Sequence, residues 1–182
     1  GIEDLHLVQI DVLGGEARRE AFLAKNPLGQ VPVLELEDGT CISETTAISR
    51  YFEELKPEPR LFGSTAGNKA KVEMWQSRIE ADLMGAMLTY YHHATPGFGD
   101  MEPYQNKEWG EKSRDRAMAT MRLLDAELDG ESFIAGDAFS IADITALCAI
   151  DFAKACGTDV PTDLVHLRAW HDRVSRRASA SA

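Results

Sequence analysis

Residues 5–12, Leu-His-Leu-Val-Gln-Ile-Asp-Val, alternate roughly with a period of two and predict a strand. Gly14-Gly15 breaks it, and residues 16–25 predict a short helix with Phe22 and Leu23 inward, ended by Asn26-Pro27. Residues 31–36, Val-Pro-Val-Leu-Glu-Leu, predict a short strand with proline second, a position that tolerates a missing N–H. Asp38-Gly39 is a hairpin signal, and Cys41-Ile42-Ser43 is the returning strand. From residue 44 to about 55, Ala47, Ile48, Tyr51, Phe52 and Leu55 fall at helical spacing, until Lys56-Pro57-Glu58-Pro59 stops the helix.

Beyond a stretch rich in Pro, Gly, Ser and Thr, the pattern becomes wholly helical. Val72, Trp75, Ile79, Leu83, Ala86 and Tyr90 recur three or four apart and predict one long amphipathic helix, broken at Thr95-Pro96-Gly97. Trp109, Ala117, Met121, Leu124 and Leu128 mark another, ending near Asp129-Gly130. Ser140 and Asp143 have the spacing of a capping box, with Phe139 and Ile144 placed for a hydrophobic staple. The helix they open is Ala-rich and apolar on most sides, as expected for the centre of a bundle. Leu164, Leu167, Trp170 and Val174 predict a last helix, followed by a frayed tail. Three regions follow: residues 1–56, a linker at 57–67, and a helical domain at 68–182.

Charge and composition narrow the classes. The net charge of −11 argues against a nucleic-acid surface. No apolar run is long enough to cross a bilayer and no signal peptide is visible, so the expectation is a cytoplasmic chain with no membrane partner. Cys41, Cys148 and Cys156 have neither metal spacing nor a C-x-x-C pair. They are expected to be small core residues, and no metal is expected.

The stretch from Asn26 to Leu34, with Ser43 to Ile48 after it, holds the chemistry. A cis Val31–Pro32 bond would turn the Val31 backbone N–H and C=O away from the hairpin. An extended peptide could then pair with Val31 as an added strand. Glu44 and Thr45, at the positive end of the next helix, could hold the ligand's charged end. The run Asn26-Pro27-Leu28-Gly29-Gln30-Val31-Pro32-Val33-Leu34, then Glu44-Thr45-Thr46-Ala47-Ile48, resembles the glutathione site of the glutathione S-transferase family, with Thr45 in place of a serine. The implied fold is an α/β thioredoxin-like N-terminal domain followed by an all-α C-terminal helical bundle.

The resemblance also implies a further strand and helix ahead of residue 1, because Gly1-Ile2 is similar to the turn that follows them in the family. That turn normally carries the catalytic Tyr, Ser or Cys, so none is named here. For glutathione it implies Gln30, Val31 and Pro32 at the cysteinyl-glycine part and Glu44 and Thr45 at the γ-glutamyl part. A His-Lys pair that often meets the glycyl carboxylate reads Ala17-Arg18 here, leaving Arg18 with the charge.

The segment Tyr90-Tyr91-His92-His93-Ala94-Thr95-Pro96-Gly97-Phe98, with Tyr104 to Gly110 and Phe139 to Thr145, is similar to an atypical yeast and bacterial branch of the family. In that branch a water held by polar side chains of the first long bundle helix, helped by a helix amino end, activates the thiol. His92 matches the branch's histidine and is the expected catalytic residue. The serine one turn earlier falls on Leu88, which cannot hold a water. His92 and His93 can also be read as helix-end residues near the last carbonyls. Tyr90, Tyr91, Phe98 and Trp109 are candidate walls for an apolar electrophile, expected between the domains.

The resemblance implies an enzyme that conjugates the glutathione thiolate to small apolar electrophiles, with glutathione as co-substrate and a homodimer as the usual assembly. A non-catalytic binding module and a glutathione-dependent peroxidase are the alternatives.

Overall fold

In the computed structural model, which describes residues 5–99 and 102–180, the Asp-Gly signal has made its hairpin. Strand β1 (Val33–Glu35) pairs antiparallel with β2 (Cys41–Ser43), with Val33 opposite Ser43 and Glu35 opposite Cys41. Asp38 Oδ1 accepts from the Thr40 N–H at 2.9 Å, and Gly39 takes a φ of 83°, which closes the turn. The chain divides into two units, residues 1–59 and 60–182.

In the first unit, residues 5–12 do not form the expected strand. A strand is defined by its ladder, and among the described residues none pairs with this segment. Leu7 and Val8 are accordingly exposed. The single helix expected over 16–25 is split. A 3-10 turn (Glu16–Arg18) ends at Arg19, whose ψ of 150° is extended, and α1 (Glu20–Leu23) restarts from the Arg19 carbonyl. Helix α2 (Thr45–Leu55) runs as predicted, although none of its side chains is fully buried and Leu55 is exposed. The Gly1-Ile2 reading lies outside the described residues.

The second unit is a bundle of five helices among the described residues. They are α3 (Ala66–Ile79), α4 (Gly85–Ala94), α5 (Lys107–Glu127), α6 (Ile141–Ala155) and α7 (Val165–Val174). Thr65 caps α3 by accepting the Asn68 N–H, and Asn106 caps α5 by accepting the Trp109 N–H. The predicted long helix is interrupted: Glu80–Met84 form a π-helical turn between α3 and α4. Thr120 on α5 donates to the Asp82 carbonyl, and Arg116 donates to that of Ala81.

The capping box is present at the start of α6 and does more than cap. Asp143 is fully buried. Its Oδ2 accepts from the Ser140 N–H and hydroxyl, and its Oδ1 accepts from the Ile134 N–H and the Trp170 indole N–H, all at 2.9–3.0 Å. One carboxylate thus ties the loop before α6, the helix itself and α7 together. Leu124, Met121, Ile79, Leu83, Ala146 and Leu167 close over each other in the core. Cys148 departs from expectation: it lies on the exposed face of α6, whose buried residues are Ile141, Ala142, Asp143, Ala146, Leu147, Ala149, Ile150 and Ala153. Cys156 does pack against the core, and burial pushes its thiol pKa up.

Candidate active site

The loop after α1 is built by one side chain. Asn26 is buried; its Nδ2 donates to the Gln30 carbonyl at 2.7 Å and its Oδ1 accepts the Leu28 N–H at 3.1 Å. Gly29 completes the bend with a φ of 63°, and a Cβ there would lie 2.8 Å from the Ala17 carbonyl oxygen, so no larger residue fits without displacement. Arg18 donates from Nη1 to the Leu28 carbonyl at 2.9 Å, bracing the loop from outside. Its other guanidinium N–H groups have no partner among the described residues.

The bend leads directly into a cis Val31–Pro32 bond. Val31 is half exposed, and its backbone N–H and C=O make no hydrogen bond among the described residues. Asn26, Gln30, Val31, Pro32, Glu44 and Thr45 line one shallow, open cleft. Glu44 precedes α2 with a φ of 70° and a ψ of 121°, a conformation that L side chains rarely adopt. Nothing in the sequence around Glu44 signals that strain, which only the backbone angles reveal. Asn26 is expected from the sequence as a helix stop and as the first residue of the glutathione-site run; the structure adds that its side chain builds the loop.

The second candidate region lies at the end of α4. His92 Nδ1 is 2.6 Å from Glu102 Oε1, and the same oxygen accepts the Phe98 N–H at 3.2 Å. Those two hydrogen bonds hold the Glu102 carboxyl below its ordinary pKa, the His92 bond being the larger cause. The segment between them is tied to the helix end. Thr95 and Gln105 donate to the carbonyls of Tyr91 and His92, Gln105 also bonds the Thr95 carbonyl, and the Tyr91 hydroxyl donates to that of Gly97.

Of the four candidate aromatic walls, the structure groups two with His92. The Tyr91 and Phe98 rings lie 5.6 Å apart, and each is 5.3 Å from the imidazole. Tyr90 instead packs on the core with the Arg114 guanidinium over its ring, and Trp109 is exposed on α5. His93 has a structural post: its Nδ1 accepts the Asn106 N–H at 3.2 Å, beside the start of α5. Leu88 is exposed, and the Thr89 hydroxyl bonds the Gly85 carbonyl of its own helix, so neither replaces the branch's serine. Among the described residues, no cluster of three His, Cys, Asp or Glu side chains could hold a metal ion.

The family model "Glutathione S-transferase, N-terminal domain" matches residues 3–60, and "Glutathione S-transferase, C-terminal domain" matches residues 80–178. The chain belongs to the glutathione S-transferase family. It is 43% identical over 179 residues to glutathione S-transferase 2 of Saccharomyces cerevisiae, covering 98% of this chain and 77% of that protein. The crystal structure of Gtt2 from the same yeast aligns at a TM-score of 0.90 and 44% identity, over 96% of this chain and 84% of that one. A glutathione S-transferase domain-containing protein from Marinobacter aquaeolei VT8 aligns at 0.91 and 44% identity, over 94% and 84%. The atypical branch is therefore the part of the family to which the chain is similar. No helix among the described residues is long and apolar enough to cross a membrane.

Proposed function

We propose that this protein is a cytoplasmic, homodimeric glutathione transferase that joins the glutathione thiolate to small apolar electrophiles. The observation that carries the glutathione site is the cleft around Val31. Unpaired main-chain groups, the amino end of α2 and the polar residues Asn26, Gln30, Glu44 and Thr45 converge there. The cysteinyl main chain pairs with the Val31 N–H and C=O across Pro32, and Gln30 extends that pairing toward the glycine. Thr45 and the α2 amino end bind the γ-glutamyl carboxylate, and Glu44 binds its ammonium. Arg18 offers its remaining N–H groups to the glycyl carboxylate. These local donors matter because the chain carries a net charge of −11 while its ligand is an anion. With a Debye length of about 8 Å in cells, near groups outweigh distant charge.

Thiol activation is assigned to His92. A free thiol is mostly protonated at neutral pH, whereas the thiolate is the nucleophile. His92 Nδ1 is engaged by Glu102, while its Nε2 has no partner among the described residues. In the proposed step Nε2 takes the thiol proton, directly or through one water, and sulfur keeps the bonding pair. Tyr91 and Phe98, in ring contact with His92, give the electrophile an apolar wall.

The test is retention on glutathione resin, followed by conjugation of a chromogenic aromatic electrophile. Gln30→Ala and Glu44→Ala are expected to abolish retention. His92→Ala is expected to retain binding but lose about 100-fold in kcat/KM. Binding without turnover in the unaltered protein would instead make it a binding module. An unchanged pH–rate profile in His92→Ala would remove His92 from the chemistry. Light scattering reads the dimer.

A further inference from the structure

We infer that Glu102 is the positioning residue for His92, fixing the ring as the Nδ1–H tautomer so that Nε2 alone faces the reaction. The inference rests on the reading of His92 as the base. Glu102 lies ten residues downstream, beyond an irregular turn, and its side chain is nearly enclosed, at 12% exposure. A carboxylate can only accept hydrogen bonds. Because the Glu102 carboxyl sits below its ordinary pKa, it is ionised at neutral pH, and the hydrogen in the 2.6 Å contact belongs to His92 Nδ1. The lone pair of the neutral ring then lies on Nε2.

The surroundings hold this geometry in several ways. Glu102 Oε1 is steadied by the Phe98 N–H, and the Glu102 N–H donates to the Gly99 carbonyl at 3.0 Å. Gly97, at a φ of 52°, leaves the carboxylate its room: a Cβ there would lie 2.7 Å from Oε1. Gln105 donates to the His92 and Thr95 carbonyls and so ties the chain after Glu102 to the end of α4. Among the described residues, the titratable Tyr91 and His93 beside this pair are already engaged. The Tyr91 hydroxyl donates to the Gly97 carbonyl, and His93 accepts from Asn106. When Nε2 takes a proton, Glu102 faces the positive ring so formed, as the carboxylate does in a catalytic triad.

The experiment has two parts on the intact protein. Imidazole 15N chemical shifts of the unaltered protein should show His92 protonated at Nδ1 near neutral pH; protonation at Nε2 alone would overturn the proposal. Kinetics of Glu102→Gln, His92→Ala and the double variant should show Glu102→Gln lowering kcat about 10- to 100-fold with the KM for glutathione unchanged. Glu102→Gln should add no further loss in the His92→Ala background, and Glu102→Asp should restore part of the rate. Additive losses, or a Glu102→Gln pH–rate profile identical to that of the unaltered protein, would overturn it. If His92→Ala itself keeps full activity, the reading of His92 as base fails first, whereas the 15N shifts still decide the tautomer.

Discussion

The two units hold their chemistry in place by different means. Among the described residues of the first unit only Ala17, Phe22, Asn26 and Gly29 are buried, and α2 buries nothing completely. Its cleft is shaped by main-chain conformation: a side chain bonded back to its own loop, a left-handed glycine and a strained Glu44. The second unit buries most of the core, including two tryptophans, and His92 sits on a helix anchored in that core with its Nδ1 bonded to Glu102. A ligand that binds by main-chain pairing needs an exposed backbone, which a deep core would cover. A proton-transferring side chain needs a fixed ring, which the bundle provides.

The largest test of this contrast is Asp143→Ala. It leaves the N–H groups of Ile134, Ser140 and Trp170 without their acceptor in the core, and should cost about 3–5 kcal/mol in urea unfolding. A loss below about 1 kcal/mol would mean that the bundle does not depend on this carboxylate. Asn26→Ala removes two bonds from a buried loop and should cost about 2 kcal/mol. It should also abolish glutathione retention while leaving the far-UV circular dichroism of the bundle intact.

Glu44→Gly should move two measurements in opposite directions. Relief of the positive φ should raise stability by about 1 kcal/mol, while glutathione retention falls. The smallest effect is at acid pH. The folded state lowers the Glu102 pKa, so its contribution is full above the ordinary value of 4.5 and is lost as pH falls through the folded value. Stability of the unaltered protein should therefore approach that of Glu102→Gln as pH drops below 4.5.

What the sequence could disclose followed from local rules. Asp38-Gly39, Ser140 with Asp143, and the apolar spacing of α5 to α7 each depend on residues a few positions apart. The Val31–Pro32 geometry was readable because its whole motif is contiguous. The partnership of His92 with Glu102 was not, because it crosses an irregular segment with no period to follow. The interruption at Glu80–Met84 was hidden for a different reason: apolar residues on both sides keep three- and four-residue spacing through it. Residues 5–12 carried a strand's alternation, but a strand also needs a neighbour, which alternation does not supply.

The interruption between α3 and α4 has one more consequence. A π turn holds one residue more than the α turn it replaces, as the Gly85 N–H bond to the Glu80 carbonyl shows. A single deletion between positions 80 and 84 could be absorbed by rewinding that turn, whereas the same deletion elsewhere would swing the rest of the helix by about 100°. Engineers shortening this protein, or comparing it with shorter relatives, should find the missing residue there.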